Sequence, residues 1–444
     1  PLHLTRLVSE SRDTMLPRLA RTATAAAAAP LRRRRSAPLA AAPQLARAFS
    51  GIPEGYGSGA EWRPTRAVNL SAGCAALPLE VLERAQKEFL GGDLGLSVTE
   101  MGYRTKNFLD IYYAAEESFR SLMNVPDNYD IHFFNGGATL QFAAIPLNLC
   151  GGDRAKKANY LMNGHWSEKA LHEGRLMGID CHETCHDESG LYFTLPKEED
   201  WDFAPGANYI HYTAADTRQG FEFQEFPYHL IPEDQTLCSD MSANLGSKEI
   251  DFNNYGVVYA AAHKNFSTSG VCYTIIRKDL IPDSLDDVMP GTPTMCNWNR
   301  FHTAPDQIWN VPVIFSVWLG LLTTDWMKAK GGLPYFEDLA IRRSNMLYDF
   351  IDDSDGFYRT FVTEDKYRSR MNVVFTIRDG EGRNEELVEK FLAQAGEERG
   401  WLDIRSHPLG ISSAAIRVTM YNPQPIEVVE QVREFMHEFK KENA

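Results

Sequence analysis

The sequence predicts an α/β protein with a mainly parallel central sheet and a smaller C-terminal α/β domain. Three observations carry this. Short apolar runs at residues 160–162, 209–212, 236–239, 257–262 and 271–276 alternate with helical patterns, the order that βαβ units produce. A helical run at 313–328 ends near Gly331-Gly332, and a second set comes after it: helices at 339–351 and 428–439, strands at 373–377 and 416–420. The chain has 444 residues, 43% hydrophobic and 24% charged, enough for more than one full core. The predicted segments are a leader at 1–50, a linker at 51–66, a large domain at 67–328 and a small one at 329–444. Residues 67–78 form the N-terminal segment of the large domain.

In chain order, residues 51–66 are rich in Gly and Pro and read as linker. Residues 78–90 place Leu79, Leu82, Ala85 and Phe89 at helical spacing and stop at Gly91-Gly92. A second amphipathic helix at 108–123 is stopped by Asn124-Val125-Pro126. A strand at 131–134 runs into Asn135-Gly136-Gly137-Ala138-Thr139, and a helix begins from Leu140.

The segment 256–270, GVVYAAAHKNFSTSG, carries the most chemistry. Two apolar runs flank a tight turn that bears one lysine, Lys264. A lysine at the lip of a buried sheet loses solvation, which lowers its pKa and suits it to form an imine. Upstream, the run 236–242 (TLCSDMS) ends on Asp240. A lysine and an aspartate at neighbouring strand ends is the arrangement pyridoxal phosphate needs. The lysine condenses with its aldehyde, and the carboxylate keeps the pyridine nitrogen protonated. Read alone, Lys264 is equally a solvated loop residue and Asp240 a turn residue or N-cap.

Other motifs add weight unequally. A strand followed by Gly136-Gly137-Ala138-Thr139 and a helix can cradle a phosphate on backbone amides. It lacks the lysine of a nucleotide P-loop. Trp166, after the strand at 160–162, can stack on a pyridine ring or fill a core. Cys181-His182-Glu183-Thr184-Cys185-His186 lacks zinc-finger or haem spacing and reads as a polar surface strand. Arg104, Arg405 and Arg417 are candidate anion anchors.

Charge separates the first fifty residues from the rest. They hold nine arginines, no lysine and two acids, a charge of +7, so the remainder carries −22 of the total −15. An acidic body argues against nucleic-acid or anionic-membrane partners. No stretch reaches the roughly 20 apolar residues of a membrane span. Seven cysteines without framework spacing fit a reduced compartment. Residues 1–50, arginine-rich and acid-poor, have the composition of an organellar transit peptide. Met15 is the expected start and Phe49 the expected processing point. The expected address is the mitochondrial matrix, with a plastid as the alternative.

Taken together, the residues resemble the phosphoserine aminotransferase family, class V enzymes of the fold-type I pyridoxal phosphate group. The resemblance runs from about Asn69 to Phe439. It is carried by LPLEVL at 77–82, NVPDNY at 124–129, QFAAIPLN at 141–148, the Lys264 segment and RSRMNV at 368–373. It implies that Lys264 is the Schiff-base lysine and Asp240 the partner of the pyridine nitrogen. It also implies that Trp166 stacks on the ring and that Thr217 bonds the phenolic oxygen. Ala138, Thr139 and His263 fall at phosphate positions. Asn310, with Val311 beside it, matches a residue that reaches the neighbouring subunit's cofactor, so a homodimer with shared sites is implied. For substrate, Arg417 matches the α-carboxylate anchor. Arg104 and His407 match holders of the distal anion, and Ser71 lies in residues 67–78, a segment that the resemblance implies packs at the active site.

Four positions depart from the family pattern. His263 stands for glutamine, Val311 for threonine, Tyr103 for histidine, and Pro408 for an arginine, with Arg405 as a candidate replacement. The implied activity is transamination between 3-phosphohydroxypyruvate with L-glutamate and O-phospho-L-serine with 2-oxoglutarate, in serine biosynthesis. The alternatives are a class V aminotransferase with an unphosphorylated substrate, a lyase using Cys296, and a cofactor-free scaffold.

Overall fold

Seven strands build the central sheet of the computed structural model, which describes residues 66–91, 95–186, 189–380, 382–405 and 415–444. They are β1 (Tyr129–Asn135), β2 (Lys157–Leu161), β3 (Asp180–Thr184), β4 (Tyr209–Thr213), β7 (Thr236–Asp240), β8 (Val257–Ala261) and β9 (Val271–Arg277). A short ribbon, β5 (Ala215–Asp216) with β6 (Phe221–Glu222), lies between β4 and β7 in the chain. The order across the sheet is β1-β9-β8-β7-β4-β2-β3. Pairings from β8 through β3 are parallel, and β9 runs antiparallel to both β8 and β1. Residues 262–270 are too few for a parallel crossover, which needs about a dozen, so β9 must turn back.

Both faces of this sheet are covered, as a parallel sheet requires. The helices are α1 (Leu79–Glu88), α2 (Lys106–Met123), α3 (Gly137–Leu149), α4 (His165–Leu176), α5 (Trp298–His302), α6 (Ile314–Ala329), α7 (Gly332–Asp352), α8 (Glu385–Glu397) and α9 (Ile426–Asn443). One face buries Ile131, Ile210, Leu237 and Val258 with α2 and α6. The other buries Tyr209, Cys238 and Tyr259 with α3 and α4.

A second, antiparallel sheet has β11 (Asn372–Asp379) paired with β10 (Tyr358–Thr360), β12 (Gly382–Arg383) and β13 (Ile416–Thr419). Its own core joins Phe375, Leu347, Phe391, Val432 and Met436. Arg66–Ala444 is one compact unit.

The helices expected from 108, 140 and 339 begin earlier, at Lys106, Gly137 and Gly332, because their first turns are polar or glycine-rich, whereas those expected from 78 and 313 begin one residue later, at Leu79 and Ile314. The helix expected from Leu140 starts at Gly137, with Gly136 as a left-handed N-cap at φ 96°. The strand expected at 131–134 extends to Tyr129–Asn135 because its flanking residues pair with β9.

Candidate active site

Strands β4, β7 and β8 end at one edge of the sheet, where α/β folds place their ligands. Asp240 closes β7, in register with Thr213 of β4 and Tyr259 of β8. Its Oδ1 accepts the amide of Ser242 at 2.9 Å. Ser242 Oγ accepts the amide of Ala261 at 3.0 Å, so the Asp240 turn is stitched to the strand that delivers Lys264.

The turn after β8 is clamped by Asn265. Its Nδ2 donates to the carbonyls of Ala243 (3.3 Å) and Leu245 (3.0 Å), and its Oδ1 accepts the amide of Asn422 (3.0 Å). Ser267 Oγ donates to the Ser316 carbonyl at 2.6 Å. These bonds hold Lys264 with only 8% of its surface exposed. The expected partial solvation is therefore nearly complete desolvation. Among the described residues its Nζ has no hydrogen bond or ion pair, and it lies 5.9 Å from the centre of the Trp166 ring.

The charges around this amine explain its chemistry. Burial lowers the Lys264 pKa; Asp240 and Asp216 oppose that, and Arg417 adds to it. Burial raises the carboxyl pKa of Asp240, opposed by Lys264 and by the hydrogen bonds from Ser242. Burial also lowers the His263 pKa to about 4, aided by Lys264, so its ring is neutral at pH 7.

Asp216 is the acid that the sequence pattern does not single out. It is fully buried and accepts the amides of Trp166 (Oδ2, 3.0 Å) and Arg218 (Oδ1, 2.8 Å). Its neighbour Thr217 accepts the Trp166 indole N–H through Oγ1 at 3.4 Å. A buried acid beside Thr217 leaves no pattern in the chain; only the fold brings it to Lys264.

The N-terminal segment crosses the same place. Ala75 donates its amide to the His263 carbonyl at 3.0 Å, and Tyr421 Oη donates to the Ala72 carbonyl at 3.1 Å. Gly73 abuts the His263 ring so closely that a Cβ would sit 2.7 Å from its Cδ2. Ser71 Oγ accepts the Gly73 amide at 3.2 Å. On β13, Arg417 is 4% exposed and 3.8 Å from Asp403. Its Nε has no partner among the described residues.

The remaining expected residues are more dispersed. Ala138 and Thr139 occupy the first turn of α3, behind Gly136 and Gly137. Val311 is 54% exposed, and Asn310 Nδ2 donates only to the Val311 carbonyl among the described residues. Arg104 lies exposed over the Tyr103 ring, with no hydrogen bond or ion pair among the described residues. His407 and Pro408 lie outside the described residues.

Arg405 does not take the place of the missing arginine. Both of its terminal nitrogens bind Glu389, at 2.6 and 2.7 Å. Cys296 is buried and its thiol pKa is raised by burial, which withdraws it as a nucleophile. The Cys181 run forms β3, at the sheet edge, and no metal-holding group occurs among the described residues.

The donors fit pyridoxal phosphate. A buried amine without a partner among the described residues faces two buried carboxylates and an indole. The N-terminus of α3 opens on glycine, and a buried guanidinium retains an unpaired N–H.

Residues 67–432 match the family Aminotransferase class-V. The chain belongs to the class-V aminotransferases. Within this family it is 38% identical over 380 residues to the phosphoserine aminotransferase of Geobacillus kaustophilus, covering 85% of this chain and 99% of that protein. The solved phosphoserine aminotransferase of Bacillus circulans subsp. alkalophilus superposes with a TM-score of 0.78 at 34% identity, covering 86% of this chain and all of that one. The pyridoxal phosphate-bound enzyme of Trichomonas vaginalis gives 0.76 at 32%, covering 84% of this chain and 100% of that one.

Proposed function

We infer that the chain is a pyridoxal phosphate-dependent aminotransferase that exchanges an amino group between L-glutamate and 3-phosphohydroxypyruvate, giving 2-oxoglutarate and O-phospho-L-serine, in serine biosynthesis. The observation that carries this is the buried Lys264, whose amine has no hydrogen bond or ion pair among the described residues and feels the charges of Asp240 and Asp216, in a chain colinear with phosphoserine aminotransferases over 85% of its length.

Pyridoxal phosphate supplies, when bound, the electron sink that lets a proton leave an amino acid's α-carbon. Asp240 supplies the carboxylate for the pyridine nitrogen. Trp166 would stack on the ring, and Thr217 would offer its hydroxyl to the phenolic oxygen. Ala138 and Thr139 at the start of α3, with the neutral His263, would hold the phosphate. Lys264 Nζ, its pKa lowered by burial, would take the α-proton and return it. Arg417 grips the α-carboxylate in bidentate fashion. Ser71 closes the site from the N-terminal segment. Arg104 and His407 favour a distal anion, so one pocket takes both glutamate and phosphoserine.

We further propose a homodimer. Asn310 and Val311, on an exposed segment beside the 40%-exposed Trp309, reach the neighbouring subunit's cofactor. Residues 1–50 act as a transit peptide to the mitochondrial matrix, with a plastid as the alternative. Import assays on a fusion to residues 1–50 decide between the two.

The purified protein should absorb visible light, and Lys264→Ala should abolish that absorption. Supplied with 3-phosphohydroxypyruvate and glutamate, it should release 2-oxoglutarate. Turnover only with unphosphorylated keto acids would reject the phosphoserine assignment. Failure to absorb with added pyridoxal phosphate would reject the enzyme.

A further inference from the structure

Asp216 has no part in the roles just assigned, and any role for it presupposes the pyridoxal phosphate site. Its carboxylate approaches the N-terminus of α4, where the first amides lack intrahelical acceptors and the helix dipole favours an anion. Oδ2 takes the Trp166 amide in that first turn. Gly164 makes the approach possible, because a Cβ there would lie 2.4 Å from Asp216 Oδ2. The next residue in the ribbon, Thr217, holds the other end of the same side chain through the indole N–H. Trp166 is thus gripped at backbone and ring by consecutive residues.

The grip has its own foundation. β5 is paired with β6, Ala215 opposite Glu222 and Asp216 opposite Phe221. The Glu222 carboxylate accepts Asn244 Nδ2 (3.2 Å), Ser369 Oγ (3.1 Å) and the Arg370 amide (2.8 Å). The ribbon is therefore anchored to the approach of β11, and Asp216 transmits that fixed position to the backbone of Trp166, from which the indole projects toward Thr217.

We propose that Asp216 is a positioning residue for the cofactor, locking Trp166 as the platform over which the pyridine ring lies beside Lys264. It acts through Trp166, so removing either should have the same effect, and removing both should add little.

The test compares holoenzyme of the wild type, Asp216→Ala, Trp166→Ala and the double variant. It reads the dissociation constant of pyridoxal phosphate by visible absorbance during dialysis, with the melting temperature alongside. Each single variant should weaken retention about two- to tenfold, the range of one aromatic contact. The double variant should be no weaker than Trp166→Ala alone, and Asp216→Glu should recover part of the loss. A lowered melting temperature with wild-type retention overturns the proposal, as do losses that multiply in the double variant. If Asp216→Ala does not fold, Asp216→Asn is read by the same criteria. A wild type that retains no cofactor overturns the enzyme reading itself, an outcome distinct from a retaining wild type whose Asp216→Ala retains equally.

Discussion

Replacing Arg417 by alanine should cripple turnover while leaving the cofactor in place. The guanidinium is buried on β13, its Nε has no partner among the described residues, and its nearest acid, Asp403, is half exposed at 3.8 Å. In the role proposed for Arg417, an incoming α-carboxylate would complete the hydrogen bonding of an Nε that has no partner among the described residues. Truncating one partner of such a desolvated, hydrogen-bonded pair costs about 2–5 kcal/mol, which is roughly 30- to 5,000-fold in kcat/KM. Glutamate and phosphoserine share the α-carboxylate, so both should fall by similar factors in steady-state assays run in each direction. Arg417→Lys keeps the charge but not the fork, and should lie between wild type and alanine. Visible absorption of the holoenzyme should be unchanged. A loss below about threefold, or one confined to phosphoserine, would refute the assignment of Arg417 to the α-carboxylate.

Other consequences can be checked on stability. Tyr259→Phe deletes a buried bond to His211 Nε2 at 2.7 Å; with the imidazole left unpaired, chemical denaturation should report a loss of about 1–3 kcal/mol. Asn265→Ala removes three bonds from the Lys264 turn and should lower kcat more than it raises KM. Burial lowers the pKa of His132 and His263 to about 4 and of His211 to about 3, from 6.5. The unfolded chain then binds more protons between those values, so stability should fall as pH drops from 6.5 toward 4. His132→Phe keeps the stacking on Phe134 and should flatten that slope in melting curves; an unaltered slope would remove His132 from the account.

Much of the fold is legible because burial writes itself into composition. The runs at β4, β7, β8 and β9 are almost wholly buried and stand out as apolar stretches. Asp180–Thr184 does not, since an edge strand half open to water needs no apolar alternation. The two-residue strands β5 and β6 span a single strand period, too little to show a repeat. The same divide runs through the site. Lys264 and Asp240 are visible because each ends an apolar run. Asp216 ends the two-residue strand β5, and its importance comes from Gly164 and Trp166, some fifty positions away. Arg405 shows the converse: a plausible guanidinium by sequence, it faces Glu389, a partner that only the packing of α8 supplies.

Asn422 lies three residues beyond the strand that carries Arg417. Its amide meets Asn265, and its Nδ2 meets the Gly246 carbonyl at 2.7 Å. The strand that carries Arg417 and the turn that bears Lys264 are therefore tied to one hydrogen-bonded frame. Exchange of exposed residues such as Arg104 would leave that frame untouched.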